Sequence, residues 1–161
     1  MKLSRAFRVA GFGLVSAFAA LFCAACEGEY VIPITAAPTH KVDQRLIGNW
    51  VEKGGTDRIR VRSYDEMNYI VSYNDDLYRA YHSDLGKMPL VTLQDVDSPS
   101  RIYAFVVYKL SDDGKTLSLR AVEAKVIPKQ LKIMEDLQKL LKKEADNPAL
   151  FGDEGQFERK E

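Results

Sequence analysis

From residue 57 to 63 polar and apolar positions alternate strictly, with Arg58, Arg60 and Arg62 on one face and Ile59 and Val61 on the other. A period of two sends successive side chains to opposite faces, which predicts a half-buried β-strand. An opening strand precedes it, Leu46-Ile47-Gly48-Asn49-Trp50-Val51, set off by Gly54-Gly55. Tyr69, Val71 and Tyr73 share one face of the next strand, which ends at the turn-prone Asn74-Asp75-Asp76. Leu77 to His82 pairs with it as a hairpin, and Leu90 to Leu93 forms a short strand after Gly86 and Pro89. Asp95 to Ser100, with Pro99, reads as a loop. Ile102 to Leu110 is apolar on both faces, the pattern of a central strand. Asp113-Gly114 marks a hairpin turn, and Leu117, Leu119 and Ala121 point one way along its return strand. Seven strands with turns at short intervals predict a mainly β fold, an antiparallel meander forming a small closed or partly closed barrel.

The period then changes. After Pro128, apolar residues fall at Leu131, Met134, Leu137 and Leu141, opposite Lys129, Lys132, Lys139, Lys142 and Lys143. This spacing predicts one C-terminal amphipathic helix over about residues 129–146, ending near Asn147-Pro148. Phe151 to Glu161 either adds a final short strand around Phe157 or trails off.

At the other terminus the pattern is neither of these. Lys2, Arg5 and Arg8 are followed by 17 uncharged residues, Val9 to Ala25, and then by Cys26 and polar sequence. A basic start, an apolar stretch and small residues before a cut predict a secretory signal over residues 1–25. An uncleaved anchor is the weaker reading, because the stretch is shorter than the ~20 apolar residues a spanning helix needs. Ala24-Ala25-Cys26 resembles a bacterial lipobox, with Cys23 where that family usually has Leu. The resemblance implies cleavage between Ala25 and Cys26 and lipidation of Cys26. The competing reading is an ordinary signal cut after Ala25, which leaves Cys26 a free thiol. Glu27 after the cysteine is compatible with sorting to an outer membrane. Residues 26–42 then form the lipidated N-terminus and a flexible tether, although Tyr30, Val31 and Ile32 are able to dock. Residues 43–161 form the domain.

Composition narrows the partners. Removing residues 1–25 takes away three of the 23 basic and none of the 23 acidic residues, leaving 136 residues with a net charge of −3. That is enough chain for one core, and the mild acidity argues against a nucleic-acid partner. Once Cys26 is lipidated no cysteine remains for a disulfide.

Candidate chemistry is sparse. His40 lies in the expected tether and His82 at a strand end, neither with a second ligand at a metal-like spacing, so no metal site and no cofactor is expected. Asp75-Asp76 and Asp112-Asp113 fit turn capping better than catalysis. Phosphate loops and Gly-x-Ser-x-Gly elbows are missing, and the expectation is that the chain is not an enzyme. Tyr64, Tyr69, Tyr73, Tyr78 and Tyr81 suit either a ligand surface or ordinary strand packing, with packing favoured.

Gly48-Asn49-Trp50 at the head of an up-and-down β pattern resembles the lipocalin opening motif. The whole arrangement is similar to small bacterial lipoproteins with lipocalin-like domains. The resemblance implies that Trp50, with Gly48 beside it, plugs the closed end of the barrel against an arginine, either Arg120 or Arg159. It departs in size: from Asp43 onward 119 residues remain, some 18 of them expected helix, which leaves little room for an eight-stranded cup with a roomy cavity. The expected function is therefore a lipid-anchored module of the cell envelope, on the outer membrane facing the periplasm, that plays a structural role or contacts an envelope protein. The alternative is a barrel that binds a small hydrophobic or amphipathic ligand.

Overall fold

The computed structural model describes residues 30–161. They form a closed antiparallel barrel of eight strands in chain order. These are β1 (Gly48–Glu52), β2 (Arg58–Ser63), β3 (Tyr69–Tyr73), β4 (Asp76–His82), β5 (Leu90–Asp95), β6 (Tyr103–Leu110), β7 (Thr116–Ala121) and β8 (Gly155–Lys160). The eighth strand lies around Phe157 and makes the closure, pairing with β1 through Trp50↔Arg159 and with β7 through Leu117↔Phe157. Closure leaves no free sheet edge.

The strands are short and their turns tight, which is how eight fit the available chain. Asn74 turns β3 into β4 at a φ of 50°, a left-handed conformation asparagine tolerates. Gly114 does the same between β6 and β7 at 69°. Asp113 serves that turn, accepting hydrogen bonds from the Ser111 hydroxyl and the Lys115 N–H. The capping role expected of this acidic pair is what Asp113 performs.

Two ends follow from the topology. The upper end carries residues 64–68, 83–89 and 111–115 and the entry to β1; the lower end carries residues 53–57, 74–75, 96–102 and the long connection 122–154. That connection holds α1 (Met134–Lys143), the one α-helix among the described residues. It is shorter than the predicted 129–146 at both ends. Ile133, the residue before it, is extended and lends no side-chain cap, and Leu131 packs against the barrel from a turn closed on Pro128.

There are two apolar cores. Inward residues of the strands, among them Trp50, Ile59, Val61, Tyr69, Val91, Leu93, Val106 and Phe157, fill the lumen. Outside the barrel, Leu90 of β5 and Phe105 of β6 face a second cluster with Tyr30, Ile34, Ile127, Leu137, Leu141 and Leu150. This is why residues 102–110 read as apolar on both faces. In a barrel the second face is covered by whatever lies outside the wall.

The covering is supplied in part by residues 30–42, which the sequence reads as a tether. They form a strap running up the wall. Tyr103 begins β6 beyond the reach of β7, and Tyr30 satisfies the exposed backbone with hydrogen bonds in both directions, 3.0 and 2.8 Å. The Tyr30 ring stacks on Phe105 with centroids 4.7 Å apart. Further along, Gln138 of α1 donates to the Ile34 carbonyl at 2.7 Å and the Tyr81 hydroxyl to the Thr35 carbonyl at 3.1 Å. Of the three residues able to dock, Tyr30 is buried, Ile32 is half-buried against the outer cluster and Val31 is exposed; Ile34 is buried as well. Periodicity gave no sign of this because an irregular strap buries residues at no fixed interval.

Candidate functional site at the upper end of the barrel

Two groups of side chains meet at the upper end, on opposite walls. The first is the Gly-x-Trp motif. Trp50 is fully buried and its indole N–H donates to the Leu46 carbonyl at 3.0 Å. Leu46 belongs to the short 3-10 turn Gln44–Leu46, begun by Asp43, whose carboxylate accepts from the Arg45 N–H at 2.9 Å. The Arg159 guanidinium lies 4.2 Å from the Trp50 ring centroid and donates to the carbonyls of Gly114, Ile47 and Arg45. A cation over an indole face contributes ~0.5–2 kcal/mol. Gly48 is needed because a Cβ there would come within 2.5 Å of that pinned guanidinium. Of the two candidate arginines, Arg159 is therefore the one on Trp50. Arg120 points outward, donates to the carbonyls of Gly152 and Phe151, and stacks on the Phe151 ring.

Below this plug the lumen retains a cavity of about 70 Å³, lined wholly by apolar side chains and tyrosines such as Val61, Tyr69, Val71, Leu93, Val106 and Leu119. Small-molecule pockets usually run to ~300–1,000 Å³. The expected tyrosine packing is largely what occurs: Tyr69, Tyr73 and Tyr81 are buried, while Tyr64 is exposed.

The second group centres on His82, the last residue of β4, which points inward and is fully buried. Its Nε2 lies 2.7 Å from the Tyr69 hydroxyl, which also accepts the Asp43 N–H. The strap ends here. Thr39 donates its N–H to the His82 carbonyl at 2.8 Å, and its hydroxyl accepts from the Asp84 N–H at 3.1 Å. Those two bonds set His40 on His82, ring centroids 3.7 Å apart, and bring His40 Nδ1 within 3.2 Å of an Asp84 oxygen. Burial and the adjacent His40 push the His82 pKa down from 6.5 to about 4, so the ring is neutral at neutral pH. Burial pushes the Asp84 carboxyl up, with His40 opposing it. Two atoms of this cluster are buried without a hydrogen-bond partner, His82 Nδ1 and Asp84 Oδ1. An unsatisfied buried polar atom costs ~1–3 kcal/mol.

Trp50 is thus buried under Arg159, with Gly48 against the guanidinium. Ala25 and Cys26, with the whole signal segment 1–25, lie outside the described residues. His40, His82 and Asp84 were not legible as a group, because His40 and His82 are 42 positions apart and meet only through the docked strap. The local signal is the His82-x-Asp84 spacing at a strand end. No family model matches the chain, and no curated protein and no solved structure matches it.

Proposed function

We propose that this chain is a lipid-anchored module of the bacterial cell envelope, belonging with the small lipocalin-like lipoproteins, that works by contacting another envelope protein. The observation carrying the reading is the filled lumen: about 70 Å³ does not admit a lipid or a drug-sized metabolite, so recognition falls to the outside. The helix and the Tyr-rich strands are poor candidates for that contact, since Leu137, Leu141, Tyr69, Tyr73 and Tyr81 are spent on internal packing. The wall of β1, β2 and β3 is better suited. It bears an open groove of about 950 Å³ beside Asn49, Arg58, Arg60, Ser72, Asp75 and Lys160, and Arg58 and Arg60 are exposed. Its chemistry fits a partner with acidic side chains. An arginine-bearing exterior around an apolar lumen is also the reverse of a membrane-spanning barrel, which is apolar outside. Anchoring therefore falls to the basic start, the apolar stretch and Cys26 of the sequence, with Ala25–Cys26 as the cleavage site.

The test is in-cell photo-crosslinking from position 72, on the same groove, in the full chain, with native mass spectrometry of the same protein extracted in detergent. A defined protein adduct that disappears in Arg58→Glu/Arg60→Glu supports the reading. A co-purifying lipid or metabolite without such an adduct overturns it in favour of ligand binding. Cys26→Ala should release the protein from the membrane fraction; unchanged tight association would sink the anchor.

A further inference from the structure

The cluster at the end of the strap holds buried polar atoms that packing does not satisfy. One nitrogen from each of His40 and His82 and one oxygen of Asp84 lie within 4.8 Å of one another. Two imidazoles and a carboxylate are a donor set that transition metals take, zinc above all, with water in the fourth position of a tetrahedron. We propose that His40, His82 and Asp84 form a Zn²⁺ site that clamps the N-terminal strap to the β4–β5 wall.

Three features of the geometry support it. The buried His82 ring has one nitrogen committed and one not. Nε2 is held by Tyr69, and Nδ1 has no partner although the residue is fully buried. With the proton on Nε2, the ring donates to the Tyr69 oxygen and leaves the Nδ1 lone pair for a metal, the outer-shell arrangement that orients ligating histidines. Asp84 Oδ1 is a second buried acceptor lacking a donor. Finally, the ligand that must move is the one able to move: the His40 side chain is 45 % exposed, whereas His82 is fully buried and held at Nε2 by Tyr69. The site requires the His40 ring to turn off its stack on His82.

The ligands come from two parts of the chain that hydrogen bonds already hold together, the strap and the end of β4. Binding would therefore reinforce a contact made by the two Thr39 hydrogen bonds, the His40–Asp84 pair and the His40–His82 stack.

The experiment uses the full chain in detergent, stripped with a chelator, and titrated with Zn²⁺ by calorimetry and with Co²⁺ by visible absorption. The expected result is one ion per chain, a tetrahedral cobalt spectrum, and slowed hydrogen exchange in residues 39–42 on Zn²⁺ addition. His40→Ala and Asp84→Asn should weaken binding by more than the roughly 10–100-fold that loss of an outer-shell partner costs. Tyr69→Phe should fall in that 10–100-fold range. His40 is exposed, so its variant tests the site without risk to folding, and an unchanged circular dichroism spectrum checks this. Binding of equal strength in wild type and His40→Ala would overturn the proposal, as would Zn²⁺ binding without protection of residues 39–42.

Discussion

The lumen and the layer outside β5 and β6 are both apolar cores, yet they are assembled differently. The lumen draws one residue in two from each of eight strands, so its members recur at a period set by the backbone itself. The outer layer joins Tyr30 and Ile34 of the strap, Leu90 and Phe105 of the wall, and Leu137, Leu141 and Leu150 of the long connection. Its members are up to about 120 positions apart and follow no shared period. The barrel closes on itself through continuous pairing, whereas the outer layer is attached by side chains and a few hydrogen bonds. The lumen should therefore set global stability, and the outer layer should open locally first.

The largest expected effect tests the first half of that statement. Trp50→Ala should cost ~3–5 kcal/mol, as truncating a large buried aromatic does, and should lower stability for every strand together. Chemical denaturation followed by fluorescence of the tyrosines and by circular dichroism measures it. A loss below 1 kcal/mol would remove Trp50 from the centre of the lumen core.

Leu141→Ala should cost less, ~2–3 kcal/mol, the low end for a buried leucine because the strap and helix are free to collapse on the gap. Its signature is local: hydrogen exchange should quicken in residues 30–42 and 134–143 while amides of β1, β2 and β8 keep their protection. If all strands lose protection equally, the two cores are one cooperative unit.

The smallest effect concerns the turn that holds the plug. Hydrogen bonds from the Arg45 guanidinium and N–H keep the Asp43 carboxyl below its ordinary value of 3.8. A lowered carboxyl contributes stability that is present above its ordinary pKa and is lost as pH falls through the lower folded value. Below about pH 4 the protein should thus weaken by no more than ~1 kcal/mol from this source, since Arg45 is well exposed and screened. Asp43→Asn should remove that part of the acid sensitivity, read as the difference in melting temperature between pH 6 and pH 3.

What the sequence made legible divides along the same line. Alternation at Ile59 and Val61 and the Asp113-Gly114 turn were enough to indicate the strands, because each signal is local. The choice between Arg120 and Arg159 was not legible. It depends on which strand closes against β1, and β8 follows β7 only after a connection of more than thirty residues. The strap was misread for a related reason: Pro33 and Pro38 suggest loose chain, yet Ile34 between them is completely buried. The histidine cluster inherits that misreading, since His40 reaches His82 only on a docked strap.

The strap also fixes how an anchored barrel would stand. With residues 27–42 free, the leash from Cys26 would be 16 residues and roughly 50 Å long. With Tyr30 seated on Tyr103, only the four steps from Cys26 to Tyr30 remain, about 14 Å at full stretch. Tyr103 begins β6 at the lower end, so a lipid on Cys26 would hold that end down against the bilayer. The histidine cluster, at the upper end, would then look away from the membrane, and a pull on the lipid would be borne along the length of the strap instead of being lost in slack.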